Sequence, residues 1–323
     1  MGTVLPPSVP STSPSTSPST SPATSPPAVG TDFVLMPALR ELTGHLLWRA
    51  VARRRTVAAE VLPAGLDVHA YAALLALDCA GNPNGSSSRT QQQLARATGV
   101  SRTTMASVAS GLAAGGLVER VRNPTDRRSY ALVRTPSGTR AVTDWDVHLR
   151  RLGAGLATGL SADEQTELSS LLHELVSDEL PTDLLPELHH TLGFLVGRAH
   201  ARMHRELLEA LTPWSLEPRH FGLLSILDAA GPITQAELSR YIGVSGPTVV
   251  QMVDDLQGLG LIERRRAPED RRIHLLHMLT RAQQLLPKAA AVAHEVEGAV
   301  LADLTAQQQR RLRHLLARLV TGA

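Results

Sequence analysis

Thr90-Gln91-Gln92-Gln93-Leu94-Ala95-Arg96-Ala97-Thr98-Gly99-Val100-Ser101 opens a stretch that the chain uses twice. A shift of 144 positions lays Thr90–Arg128 on Thr234–Arg272 without a gap, and 18 of the 39 positions are identical. The identities include Gly99-Val100-Ser101 on Gly243-Val244-Ser245 and Asp126-Arg127-Arg128 on Asp270-Arg271-Arg272. A unit this long exceeds a solenoid repeat and reads as two copies of a whole domain.

Within one copy the pattern is helical and then extended. Thr90 opens a short helix ending near Gly99, and Thr234 with Glu237 makes a capping box in the second copy. Ser101 is placed to cap the next helix, whose apolar face carries Val108 and Leu112, repeated as Met252 and Leu256. Glycines at Gly115-Gly116 and at Gly260 end it. Short helix, turn and amphipathic helix make a helix-turn-helix. Leu117–Arg122 then alternates apolar with polar, Asn123-Pro124-Thr125-Asp126 turns, and Ser129–Val133 returns as a second strand. A hairpin tipped by Asp-Arg-Arg directly after a helix-turn-helix is a winged helix.

The order Gly-Val-Ser, helix, Gly-Leu-Val/Ile-Glu-Arg, Pro-x-Asp-Arg-Arg, strand, Thr resembles the MarR family of bacterial regulators. The resemblance runs over roughly residues 37–178 and again 186–321. It implies a mainly α fold with small β-hairpin wings, in which two winged helix-turn-helix domains are joined by a shared long-helix interface. In MarR-like proteins the first and last helices of each subunit form the dimer interface, so the chain is expected to be a single-chain pseudo-dimer, with further self-association left open.

The rest of the chain fits that plan. Residues 1–31 are a Ser/Thr/Pro-rich tail whose composition does not offset the entropy of ordering it. Residues 32–178 form the first domain, 179–185 a linker and 186–323 the second. Pro37–Glu60 reads as one long helix with Leu39, Leu42, Leu46, Leu47 and Val51 on one side, and Pro186–Leu211 is its counterpart. Those two share Gly44/Gly193, Arg49/Arg198 and Arg53/Arg202 at a shift of 149. A third helix covers Asp67–Ala80, matching Glu217–Ala230. The first copy carries a six-residue insertion between Ala80-Gly81 and Thr90, which a surface loop tolerates. Beyond each wing come two helices, one opened by Thr135-Pro136 and the last capped by Ser161 with Glu164. The last helix bears Leu168, Leu171, Leu172, Leu175 and Val176, repeated as Leu312, Leu315, Leu316, Leu319 and Val320.

Composition bounds the function. Hydrophobic residues make up 43%, enough for globular cores, and no run of about 18 apolar residues marks a membrane span. Net charge is +2, and residues 1–180 carry 16 arginines against 15 acids, so charge balance by itself does not argue for nucleic acid. The one cysteine, Cys79, excludes an intramolecular disulfide and fits a reducing cytoplasm. No nucleotide loop, His-Glu-x-x-His zinc motif or Gly-x-Ser-x-Gly elbow occurs, which argues against an enzyme. No cofactor is expected.

The resemblance implies which residues meet DNA. In the family the second helix of the helix-turn-helix enters the major groove, which assigns base edges to Arg102, Thr103, Thr104 and Ser107, and to Thr248 and Gln251 in copy two. Arg suits guanine and Gln suits adenine. The wing arginines Arg127, Arg128, Arg271 and Arg272 suit a narrow minor groove, with Asp126 and Asp270 orienting them. Arg120, Arg122, Arg264, Arg265 and Arg266 would meet phosphates. The alternative for these arginines is a solvated hairpin surface, which two copies at one spacing disfavour. Copy two begins its helix Ser245-Gly246-Pro247 and lacks the arginine of copy one, so unequal half-sites are expected.

Trp48 and Trp214 fall near the cleft where MarR-like regulators bind small aromatic acids, with His200, His204 and His220 beside them; each tryptophan reads equally as core. His200 and His204 share a helix face at i, i+4, a metal-binding spacing, but no third ligand is evident and none is assigned. The expected function is a cytoplasmic, ligand-responsive repressor whose partners are a double-stranded DNA operator and a small effector such as an aromatic acid. The alternative is a small-molecule-binding or scaffold protein whose DNA contacts have decayed.

Overall fold

The computed structural model describes residues 35–63, 66–77, 88–123, 128–180, 190–270 and 272–322. The tail, the joint at 181–185, the copy-one insertion at 82–87, Cys79, Asp126, Arg127 and Arg271 lie outside them.

The first copy contains α1 (Pro37–Arg40), α2 (Thr43–Val61), α3 (Val68–Ala76), α4 (Gln91–Thr98), α5 (Arg102–Ala114), β1 (Val118–Arg122), β2 (Tyr130–Arg134), α6 (Pro136–Leu156) and α7 (Ala162–Val176). The second contains α8 (Leu192–Leu211), α9 (Pro218–Ala230), β3 (Ile233–Thr234), α10 (Gln235–Ile242), α11 (Gly246–Gly258), β4 (Ile262–Arg266), β5 (His274–Met278), α12 (Thr280–Val300) and α13 (Ala306–Thr321). The fold is thus mainly helical with small antiparallel hairpins.

Local chemistry sets the boundaries. The capping boxes of Ser161 with Glu164 and Thr234 with Glu237 both form, each side chain accepting from or reaching the other's backbone N–H. Thr135 caps α6, with Pro136 in its first turn. β1 pairs with β2 from Val118 opposite Arg134 to Arg122 opposite Tyr130, and β4 pairs with β5 in the same manner. Copy two adds β3 on the outer side of β5, giving the order β3-β5-β4. In copy one a lone bridge from Arg89 to Leu132 takes that place.

The first long helix differs from expectation: Pro37–Glu60 is not continuous but breaks at Glu41-Leu42. The cause is polar. Thr43 N and Oγ1 both donate to Glu297 Oε1 of α12, at 3.4 and 2.5 Å, so the first N–H group of α2 is satisfied by the other copy. The freed turn, α1, lies against α9 and buries Leu35 and Leu39.

The apolar core runs through both copies. α2 packs along α8 and α13, α7 packs on α8 and α13, and Leu46, Leu47, Leu195, Leu168, Leu172, Leu312 and Leu316 are fully buried. At the α7–α13 seam Arg311 binds Glu167 at 2.7 Å, Arg318 binds Glu164 and the Gly159 carbonyl, and Gln308 reaches Glu174. These pairs are partly solvated, so they fix register more than they add stability. Burying a leucine contributes far more.

Leu47→Ala should therefore cost about 2–5 kcal/mol and shift one cooperative urea transition as a whole. Hydrogen exchange should rise in α9 of the second copy as much as in α3 of the first. Two separate transitions, with only the copy-one part displaced, would show that the copies fold independently.

Candidate nucleic-acid interface

Each helix-turn-helix is built on a glycine and a serine. α4 and α10 end in Gly99 and Gly243, both left-handed at φ 70° and 72°, a conformation that favours glycine. Ser101 Oγ accepts the Thr104 N–H at 3.1 Å and is 2.8 Å from the hydroxyls of Thr103 and Thr104. Met105, Val108, Ala109 and Leu112 anchor α5 to the core, which turns Arg102, Thr103 and Ser107 to solvent and leaves Thr104 half-buried. In copy two Val249, Met252, Val253 and Leu256 anchor α11. Gln251 is exposed there but donates to Asp255 Oδ1 at 2.8 Å, and Thr248 sits 3.2 Å from Ser245 Oγ. Val250, which sequence reasoning did not single out, is 45% exposed on the same helix and offers an apolar contact where copy one has Ala106.

The two hairpins place their arginines differently. Arg120, Arg122 and Arg128 are exposed in copy one, with the Arg122 guanidinium 5.6 Å from the centre of the Tyr130 ring. In copy two Arg266 and Arg272 are exposed, whereas Arg264 turns back to Asp254 and Gln257 of α11 at 2.6 and 2.7 Å. Arg265 is exposed and pairs with Glu263. Asp270 accepts the backbone N–H of Arg272 at 2.9 Å, which shapes the wing turn through the main chain.

A cavity of about 1380 Å³ lies between the long helices and the winged modules, lined from both copies, and Thr104, Thr248 and Gln251 of α5 and α11 also face it. Trp48, His200, His204 and His220 line it. Trp214 does not; it packs half-buried against the core in the turn ahead of α9. Sequence reasoning missed His45, His69, Arg54 and Arg55, which join this wall from the first copy. For His45, Arg54 and Arg55 the signal was available as polar positions interrupting the apolar stripe of the first long helix, whereas His69 stands on α3. Burial pushes His45 and His200 down to about 3 and lowers His69, His204 and His220, so the histidines are neutral near pH 7. Burial also lowers Arg54 to about 10, which leaves its guanidinium charged. The His200 and His204 rings stack at 5.6 Å and 8°, and among the described residues no third side chain joins them to hold a metal. No helix of the described residues is long and apolar enough to cross a membrane.

Comparison with known proteins decides the family. A model of the MarR family matches residues 64–129 and 214–273, one match per copy. An HTH-type transcriptional repressor of Mycobacterium tuberculosis is 30% identical over 128 residues, which are 40% of this chain and 92% of the repressor. The chain belongs to the MarR family. Among solved structures, the transcriptional repressor CouR bound to a 23-mer DNA duplex is 32% identical over 39% of this chain and 88% of its own, with a TM-score of 0.37. CouR from Rhodococcus jostii bound to p-coumaroyl-CoA is 26% identical over 36% of this chain and 81% of its own, with a TM-score of 0.34.

As a tandem member of the MarR family the protein is a DNA-binding regulator of transcription, and its relatives are transcriptional regulators. Two winged helix-turn-helix units stand in one chain.

The neutral histidines set a pH dependence. Their folded pKa values lie below the unfolded value of about 6.5, so the unfolded chain binds more protons as pH falls through that value. Stability should therefore decline from pH 6.5 toward 5, by at most about 1.4 kcal/mol per pH unit for each histidine kept fully neutral. Urea midpoints across this window check it. Replacing His45 and His200 together with Gln should flatten the decline, and an unchanged slope in the double variant would mean that neither drives it.

Proposed function

We propose that the protein is a single-chain pseudo-dimer that represses transcription by occupying an operator and releases it on binding a small anionic ligand. α5 reads one half-site through Arg102, Thr103, Thr104 and Ser107, and α11 reads the other through Thr248 and Gln251. Arg127 and Arg128, with Arg271 and Arg272, follow the minor groove, and Arg120, Arg122, Arg265 and Arg266 meet phosphates. Arg264 contributes less, since Asp254 and Gln257 already take its hydrogen bonds. The observation that carries the reading is the pair of solvent-facing helices α5 and α11, each anchored by four buried residues and followed by an arginine-bearing hairpin. Residues 32–178 and 186–323 are the two units and 179–185 the linker.

The half-sites are unlike. Arg102 supplies a bidentate donor in copy one, whereas Gly246 and Pro247 supply none in copy two. A fused chain is free of the palindrome that symmetry imposes on a homodimer. The ligand site is the cavity between the long helices and the winged modules, which Thr104, Thr248 and Gln251 also line. Trp48 gives it an aromatic wall, and Arg54 and Arg55 give it positive charge, which suits an aromatic carboxylate. A ligand that favours a different spacing of α5 and α11 shifts the equilibrium away from the DNA-bound form.

In-vitro selection of bound duplexes, followed by affinity measurements over a salt series, tests the reading. The expected operator has two different half-sites about 10 base pairs apart, centre to centre. Arg102→Ala should relax the preference at one guanine, worth about 1–3 kcal/mol, and leave the other half-site alone. Replacing Arg127 and Arg128 with Ala should lower the slope of log affinity against log salt by about 1 per arginine. Weak binding with no selected sequence would favour the scaffold reading instead.

A further inference from the structure

Two arginines hold matching places on the long helices, and neither points to solvent. Arg49 of α2 and Arg198 of α8 are 2% and 7% exposed. Each crosses into the other copy. Arg49 Nη1 donates to the carbonyl oxygens of Ile242 and Gly243 at 2.8 and 2.6 Å, where α10 ends. Arg198 Nη1 donates to the Arg96 carbonyl at 2.6 Å in the last turn of α4, and its Nη2 donates to the Glu179 carbonyl at 2.6 Å. A contact of the same kind is thus built in each direction across the molecule, onto Ile242 and Gly243 from Arg49 and onto Arg96, a little earlier in its helix, from Arg198.

The contact sits at a sensitive point. The last carbonyls of a helix have no partner within it and carry partial negative charge, so a guanidinium there caps the helix. Hydrogen bonds from an ionised donor are stronger than neutral ones, and a buried guanidinium deprived of acceptors is costly. A Cβ on Gly243 would run into the Arg49 guanidinium, and one on Gly99 into the Arg198 side chain, so each turn is closed over the arginine it receives. Two residues further on, Ser101 and Ser245 begin the reading helices α5 and α11.

We infer that Arg49 and Arg198 are crossed positioning residues: Arg49 in copy one sets the placement of α11 in copy two, and Arg198 in copy two sets that of α5 in copy one. The inference rests on the DNA-reading proposal above for its consequence, though not for its geometry. A lesion in one copy's long helix would therefore blur recognition by the opposite copy's half-site.

The test uses the full chain and the selected operator, with the two half-sites assigned by Arg102→Ala and Gln251→Ala. Arg49→Gln should cut discrimination against base changes in the copy-two half-site by about tenfold, the change that 1.4 kcal/mol makes, and leave the copy-one half-site largely unaffected. Arg198→Gln should do the reverse, and the lysine variants should restore part of each loss. Equal losses on both half-sites, or a loss on the variant's own side, would overturn the inference. Hydrogen exchange of the DNA-free Arg49→Lys protein gives a second readout, independent of operator binding and of the glutamine variants' folding. Faster exchange at 242–245 with 96–101 unchanged supports crossing; the opposite pattern refutes it. Failure of the wild-type chain to select any DNA would sink the DNA-reading proposal while leaving this exchange comparison decisive.

Discussion

The long helices carry more apolar surface than one winged module can cover, and that constraint organises the rest. α2, α7, α8 and α13 bury their leucine stripes on one another, so each copy is completed by the other. The winged modules then hang on a common core, and their reading helices inherit its geometry. A change of packing in the core is in that sense a change at the DNA-facing surface. The cavity lies where such a change would be made, with walls from the long helices of both copies and from the helix-turn-helix turns.

The polar bonds across the core divide into two kinds. Those at the α7–α13 seam are ion pairs near water, such as Arg311 with Glu167, and they are screened and individually weak. Those at the helix-turn-helix turns are buried guanidiniums on main-chain carbonyls. Main-chain acceptors cannot swing away as a carboxylate side chain can, so the second kind transmits position and the first kind mainly aligns helices. Arg54 is intermediate: it donates to the Gly193 carbonyl at 2.8 Å and also lines the cavity.

Much of this was legible in the sequence. The repeat, the capping boxes and the wing hairpins are local patterns, and local chemistry fixed them: Thr234 with Glu237 and Ser161 with Glu164 cap the helices they were expected to cap. The break at Glu41-Leu42 was not legible, because its cause is Glu297, 254 residues from Thr43. Trp214 shows the same limit. Which of two aromatic residues faces a cleft depends on packing between copies, and helical periodicity does not report it. Arg49 and Arg198 were visible as a repeated pair, but their role was not. A charged residue present twice inside an apolar stripe is a sign of a buried partner, and the hydrogen-bond partners prove to be backbone carbonyls, with the Glu179 carboxylate 3.8 Å from Arg198, none of which the sequence pattern marks.

Fusion changes what the two copies must share. In a homodimer every substitution appears on both sides of the axis, so a reading head and the core that supports it change together. Here the turn glycines, the crossing arginines and the wing arginines are alike in both copies, while several residues at the start of the second helix and around the cavity are not. Arg102 faces Gly246, Trp48 faces Gly197, and Val51 faces His200 in the aligned positions. The parts that hold the second helix of each helix-turn-helix in place are therefore matched, while several positions on that helix and on the cavity wall are free to differ. One scaffold with two unlike faces follows, in which each winged unit is tied to the other copy's long helix by an arginine.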